Sequence, residues 1–191
     1  MDVIVLNGAS SAGKSSIVSA LQQELSEHYL HIGIDSFITM MPTRVNKLGS
    51  PDTISDGFYW ETQPNKTLKI QSGSYGKLVN NAYRTTVKHL LNSGLRVIVD
   101  DVMNGGAEQK AWLDVLGSHK SLFVGVMCSE DELVRRELLR ENRINGSALE
   151  QARRVHIGVS YDLCVSTSEN SLEECVQAIK KHITKRLRAT P

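Results

Sequence analysis

The chain has 191 residues, 40% of them apolar and 23% charged, with a formal net charge of +1. This composition excludes a disordered chain, and the near-neutral balance argues against a body-wide nucleic-acid footprint. The three cysteines, Cys128, Cys164 and Cys175, are odd in number and outside Cys-x-x-Cys spacing; they form neither a disulfide framework nor a zinc site and read as small buried or partly buried thiols.

The first apolar run, Val3 to Leu6, reads as a short buried strand. It lacks a basic leader and a small-residue cleavage site, and no apolar run in the chain approaches the roughly 18 residues of a membrane span. The expectation is a cytoplasmic protein with no membrane partner. Directly after this strand comes Gly8-Ala9-Ser10-Ser11-Ala12-Gly13-Lys14-Ser15, which satisfies G-x-x-x-x-G-K-[ST]. Ile17, Leu21 and Leu25 then step by four along one helix face. Strand, loop and helix in this order are the context in which successive backbone N–H groups and a helix N-terminus cradle phosphate. Gly8 to Ser16 are therefore the expected nucleotide contacts. Lys14 is expected on the β- and γ-phosphates of ATP, and Ser15 on Mg²⁺.

Leu30 to Ile34 is the second strand, and Asp35 closes it. In a parallel sheet that position lies on the ligand edge, beside the first strand's loop, where a carboxylate can take or orient the proton of an alcohol acceptor. The alternative is helix capping ahead of Ser36-Phe37-Ile38. From Pro42 to Ser74 the chain is polar and Gly/Pro-punctuated around Phe58-Tyr59-Trp60. Such a stretch predicts a long functional loop over about 42–75, with or without a short hairpin inside it, and with the aromatic trio lining an acceptor pocket or packing beneath its own loop. A helix resumes near Tyr75 and ends at Ser93-Gly94.

Val97 to Val99 is a third strand and runs into Asp100-Asp101. Side chains alternate along a strand, so one of these two carboxylates faces the phosphates as a water-mediated Mg²⁺ partner, or caps the next turn. Leu122 to Met127 and Leu163 to Val165 complete five strands. Between them Arg136, Arg140 and Arg143 share one helix face, over a lid placed at about 130–147. They would neutralise a triphosphate, or form a solvated face paired with Glu132, Glu137 and Glu141. His156 would touch substrate or serve structure. Leu172, Val176, Ile179, Ile183 and Leu187 mark a last helix, whose Lys180, Lys181, Lys185, Arg186 and Arg188 read as a solvated end. Strands alternating with helices predict a three-layer α/β fold of the P-loop NTPase kind, with a five-stranded parallel sheet in one domain.

Several of these motifs, in the same order, resemble the chloramphenicol phosphotransferase family. They are Leu6-Asn7-Gly8 running into Ser10 to Ser15, then Gly33-Ile34-Asp35-Ser36, and Ile98-Val99-Asp100-Asp101-Val102 followed by Gly105-Gly106. Arg136-Glu137, Arg140 and Arg143 precede Gly146, and Val155-His156-Ile157-Gly158-Val159-Ser160-Tyr161-Asp162 completes the set. The resemblance implies an adenylate-kinase-like core and ATP-dependent phosphorylation of the primary hydroxyl of chloramphenicol, which inactivates the antibiotic. It implies a base role for Asp35 and lid roles for Arg136, Arg140 and Arg143. Ala9 departs from the family pattern, as does the segment from Pro42 to Ser74. Competing readings are a metabolic kinase of another small alcohol and a nucleotide-binding regulator or NTPase without an acceptor. A homo-oligomer is compatible with each.

Overall fold

The computed structural model describes residues 1–139 and 146–188. In chain order it begins with β1 (Val3–Asn7), α1 (Lys14–Glu24), β2 (Tyr29–Gly33) and α2 (Ile34–Met40). A 3₁₀ turn at Thr43–Val45 leads to β3 (Phe58–Thr62), β4 (Leu68–Ser72) and α3 (Ser74–Asn92). Then come β5 (Arg96–Asp101), α4 (Gly106–Leu116), β6 (Ser121–Met127), α5 (Glu130–Leu138), α6 (Ser147–Ala152), β7 (Leu163–Ser166) and α7 (Leu172–Arg188).

Five strands form one parallel sheet in the order β2-β5-β1-β6-β7. Its central strand reads Val-Ile-Val-Leu-Asn and is wholly buried because both faces are covered. Ile4 and Leu6 pack with Ile17 and Leu21 of α1 and Val176, Ile179 and Ile183 of α7. Val3 and Val5 pack on the other face with Tyr83, Val87 and Leu91 of α3 and Trp112 and Leu116 of α4. Period-two alternation on the strand thus meets four-residue steps on the helices, and the two patterns fix which face each helix covers.

Three expectations need correction. The second strand stops at Gly33, one residue early, so Asp35 sits in the first turn of α2 rather than at a strand end. It is also not beside the first strand, because β5 lies between β2 and β1. Cys164 is exposed, since β7 is an edge strand. Of the two forms left open for the long segment, the structure has the hairpin: β3 and β4 are antiparallel, with Trp60 paired to Ile70 and Phe58 to Ser72. Phe58 and Trp60 project to one side of the hairpin and are buried. The hairpin packs on α6 and on the start of α3.

Candidate active site

The loop between β1 and α1 is held open by backbone geometry. Ser11 has φ 64 and Gly13 φ 88, so the left-handed positions fall there and Ala9 is accommodated without strain. Gly8 is required for a different reason: a Cβ there would lie 2.5 Å from the carbonyl oxygen of Val126 on β6. The Ser10 and Ser11 hydroxyls are buried without a hydrogen-bond partner. Such groups are costly unless something polar arrives to meet them, and a phosphate group fits that need. Lys14 is buried; its Nζ donates to the carbonyls of Gly8 and Ala9 at 2.9 Å each and stands 3.6 Å from Asp100.

The double aspartate separates as strand alternation requires. Asp100 faces the loop and accepts a 2.8 Å hydrogen bond from the Ser15 hydroxyl, with His31 Nε2 at 3.8 Å. Burial pushes the Asp100 carboxyl up, but His31, the Lys14 ammonium and Ser15 together draw it below its ordinary value. Ser15 and Asp100 therefore place a hydroxyl and an ionised carboxylate beside the phosphate cradle, oxygen donors of the kind that Mg²⁺ prefers. Asp101 is committed elsewhere. Its Oδ2 accepts from Trp112 Nε1 at 2.6 Å and its Oδ1 from the Val102 amide at 2.9 Å. Burial and then the charge of Glu108 push its carboxyl up to about 6. The pair expected at the metal reduces to Asp100, with Asp101 as a turn and core anchor.

A cavity of about 650 Å³ runs from the loop to the hairpin. Lys14, Ser15 and Asp100 line one end, and Phe58, Trp60 and Ile70 the other. Asp35 is exposed and lines the cavity wall, and Gly33 rather than Asp35 holds the N-cap position of α2. The Asp35 charge is felt at the hydroxyl of Tyr83, which also lines the space. Burial first, then the charges of Asp101 and Asp100, hold that phenol well above its ordinary value, so Tyr83 remains a proton donor.

Arg136 braces the loop from outside. It donates to Glu132 at 2.7 Å, to Thr167 Oγ1 at 3.1 Å and to the Thr167 carbonyl at 2.9 Å. Thr167 in turn donates to the Ala12 carbonyl at 2.8 Å. α5, which carries Arg136, ends at Leu138. Arg140 and Arg143 lie outside the described residues.

Several contributors were missed in the sequence. Gln151 of α6 accepts from the Ser10 amide at 2.7 Å, inside the phosphate loop. Glu137, expected as a surface partner for arginine, is buried. It accepts from Gly146 N, Ser147 Oγ and Ala148 N at 2.7, 2.7 and 2.8 Å, capping α6, whose own cap residue is a glycine. Only the adjacency of Glu137 to Arg136 and the Gly146-Ser147 step hinted at it. His156 takes the structural of its two readings. Asn7 donates to Tyr161 Oη at 2.6 Å, which leaves the phenol proton for His156 Nδ1 at 2.7 Å. Asn7 also donates to the Val155 carbonyl and accepts from the Met103 amide, both at 2.8 Å. Gly106 packs so closely on Gly158 that a Cβ would lie 2.3 Å from its carbonyl oxygen. The glycine pair and the Val-His-x-Gly motif thus fit each other, beneath the loop rather than in the cavity.

Residues 1–184 match the family described as chloramphenicol phosphotransferase-like protein. A Mycobacterium tuberculosis H37Rv protein named "Putative O-phosphotransferase" is 30% identical over 186 residues, covering 93% of this chain and 80% of its own. Among solved structures, a sugar kinase from Janibacter sp. HTCC2649 aligns with TM-score 0.65 and 13% identity, over 96% of this chain and 95% of that one. A gluconokinase from Sinorhizobium meliloti 1021 aligns with TM-score 0.58 and 16% identity, over 96% and 91%. Shikimate kinase from Aquifex aeolicus aligns with TM-score 0.55 and 15% identity, over 97% and 98%. At such identities these structures establish the shared P-loop kinase fold.

Proposed function

We propose that this chain, which belongs to the chloramphenicol phosphotransferase-like family and is a small-molecule kinase, moves the γ-phosphoryl group of ATP to the hydroxyl of chloramphenicol or a related compound. The observation that carries this reading is the single cavity joining Lys14 and Asp100 at one end to an aromatic wall at the other, with Asp35 on its side. In that arrangement the acceptor oxygen loses its proton to Asp35 as it bonds to the γ-phosphorus, and ADP leaves with the electrons of the broken P–O bond. Lys14 follows the charge that builds on the phosphoryl oxygens, and the loop amides and the N-terminus of α1 hold the leaving phosphates. Ser15 and Asp100 are the residues that would hold Mg²⁺, which would offset the negative charge of the phosphates during transfer. Arg136 fixes the loop's outer wall, and the lid role falls to Arg140 and Arg143. Antibiotic inactivation in the cytoplasm, where ATP is plentiful, is the function this reading carries.

The test is a screen of ATP and Mg²⁺ against chloramphenicol and a panel of alcohols, read by mass spectrometry. A phosphoryl gain on an acceptor is expected. Brisk ATP hydrolysis with every acceptor unchanged would instead mark an NTPase.

A further inference from the structure

The α3 wall of the cavity holds more charge than a neutral alcohol can match. On α3, Lys77, Asn80, Tyr83 and Arg84 line the cavity, while Val87 and Leu91 turn into the core. Cavity carboxylates are met by named groups: Asp100 has Ser15 and Lys14, Asp101 has Trp112, and Glu108 accepts from the Asn104 amide at 2.8 Å. Arg154 is matched as well, by Glu150 at 2.8 Å and Asn104 at 3.0 Å. By contrast the Lys77 and Arg84 side chains make no ion pair or hydrogen bond among the described residues. Arg84 is half-buried, where an uncompensated guanidinium is costly. Next to it, the Tyr83 hydroxyl is buried and has no hydrogen-bond partner. A donor without an acceptor and a cation that no carboxylate touches, its charge reaching Asp101 only at longer range, belong to one wall.

We infer that the physiological acceptor is an anionic alcohol, a hydroxyl compound that also bears a carboxylate or phosphoryl group, held by Arg84 and the Tyr83 hydroxyl. The inference rests on the phosphotransferase reading above, keeps its donor side and replaces its neutral acceptor with a charged one. An anionic group satisfies both orphans at once: the planar guanidinium grips an oxyanion side-on and the phenol donates to the same group. Lys77 is seven residues, or roughly 10 Å of helix, toward the hairpin. It is too far to share that grip and instead draws anions to the mouth. Phe58, Trp60 and Ile70 receive the apolar body of the molecule. Chloramphenicol, being neutral, would leave Arg84 uncompensated.

The experiment compares matched acceptors that differ in one group. Tropate is set against 2-phenylpropane-1,3-diol, and glycerate against glycerol, with glycerol 3-phosphate separating phosphoryl from carboxylate recognition. With ATP and Mg²⁺, the anionic member of a pair should show kcat/KM at least about tenfold above its neutral partner, because an unmatched buried cation penalises the neutral one. Arg84→Gln should raise KM for the anionic acceptor about thirtyfold and leave KM for ATP unchanged, which collapses the preference. Tyr83→Phe should raise that KM about tenfold while leaving unfolding by urea unchanged or slightly later, since it removes a hydroxyl that the fold does not satisfy. Equal or better turnover of neutral partners overturns the inference and leaves the kinase standing. So does an Arg84→Gln variant that loses kcat alike on both members, since Arg84 would then serve the transferred phosphoryl group. ATP hydrolysis with no acceptor phosphorylated overturns both readings.

Discussion

At the donor end of the cavity one unbroken stretch, Gly8 to Ser15, supplies loop, lysine and hydroxyl, and a single strand end adds Asp100. The acceptor end is gathered from α2, the β3–β4 hairpin and α3, whose residues meet only when the chain has folded. Both ends contain buried polar groups without partners, Ser10 and Ser11 at one and Tyr83 at the other. The difference teaches where specificity can change. A phosphate cradle tolerates little variation because its geometry is backbone geometry, whereas the opposite wall is made of side chains on separate elements and can be rebuilt piece by piece.

Mutations can sharpen or break this contrast. Lys14→Ala should have the largest effect, about a thousandfold loss of kcat/KM for ATP, whatever alcohol is offered. A coupled ADP assay with two acceptors checks it, and a loss that depended on the acceptor would blur the two ends. Next comes Asp101, one residue from Asp100 yet serving the other half of the molecule. Its unfolded carboxyl titrates at 3.8 and its folded one at about 6. The folded protein therefore binds more protons between those values, and stability falls as pH rises through the window, by roughly 3 kcal/mol. Asp101→Asn should remove that decline, as urea unfolding at about pH 4 and about pH 6.5 would show.

Asp35→Asn should follow, with at least about a hundredfold loss of kcat and intact ATP affinity. Unchanged turnover, with binding read by calorimetry, would remove the base role from that residue. Trp60→Ala should be smallest, about a tenfold rise in acceptor KM with KM for ATP held, because it trims apolar wall alone. Equal rises for both substrates would mean that the hairpin also shapes the donor end.

The donor end was legible in the sequence because its determinants are local. Strand, loop and helix follow each other, and the spacing of Gly8, Gly13, Lys14 and Ser15 states the geometry directly. Alternation foretold that Asp100 and Asp101 diverge, but not which one meets Ser15, since that depends on which face α1 covers. The five strands were readable from their apolar runs, and their spatial order was not, because pairing is a long-range choice. The hairpin was hidden by its half-polar strands, in which only Phe58, Trp60, Leu68 and Ile70 carry apolar weight. Glu137 and Gln151 were invisible because their partners are backbone amides, and any sequence supplies those.

Asn7 links these observations to time. Its buried amide is satisfied by groups 96 and 148 residues further along the chain, and the flanking partners of β1, β5 and β6, are likewise distant in sequence. During synthesis the first strand leaves the ribosome, and α1 after it, well before β5 and β6 can flank it. The floor of the nucleotide site therefore settles only when the last third of the chain has arrived, and a growing chain must keep Val3 to Leu6 from other company until then.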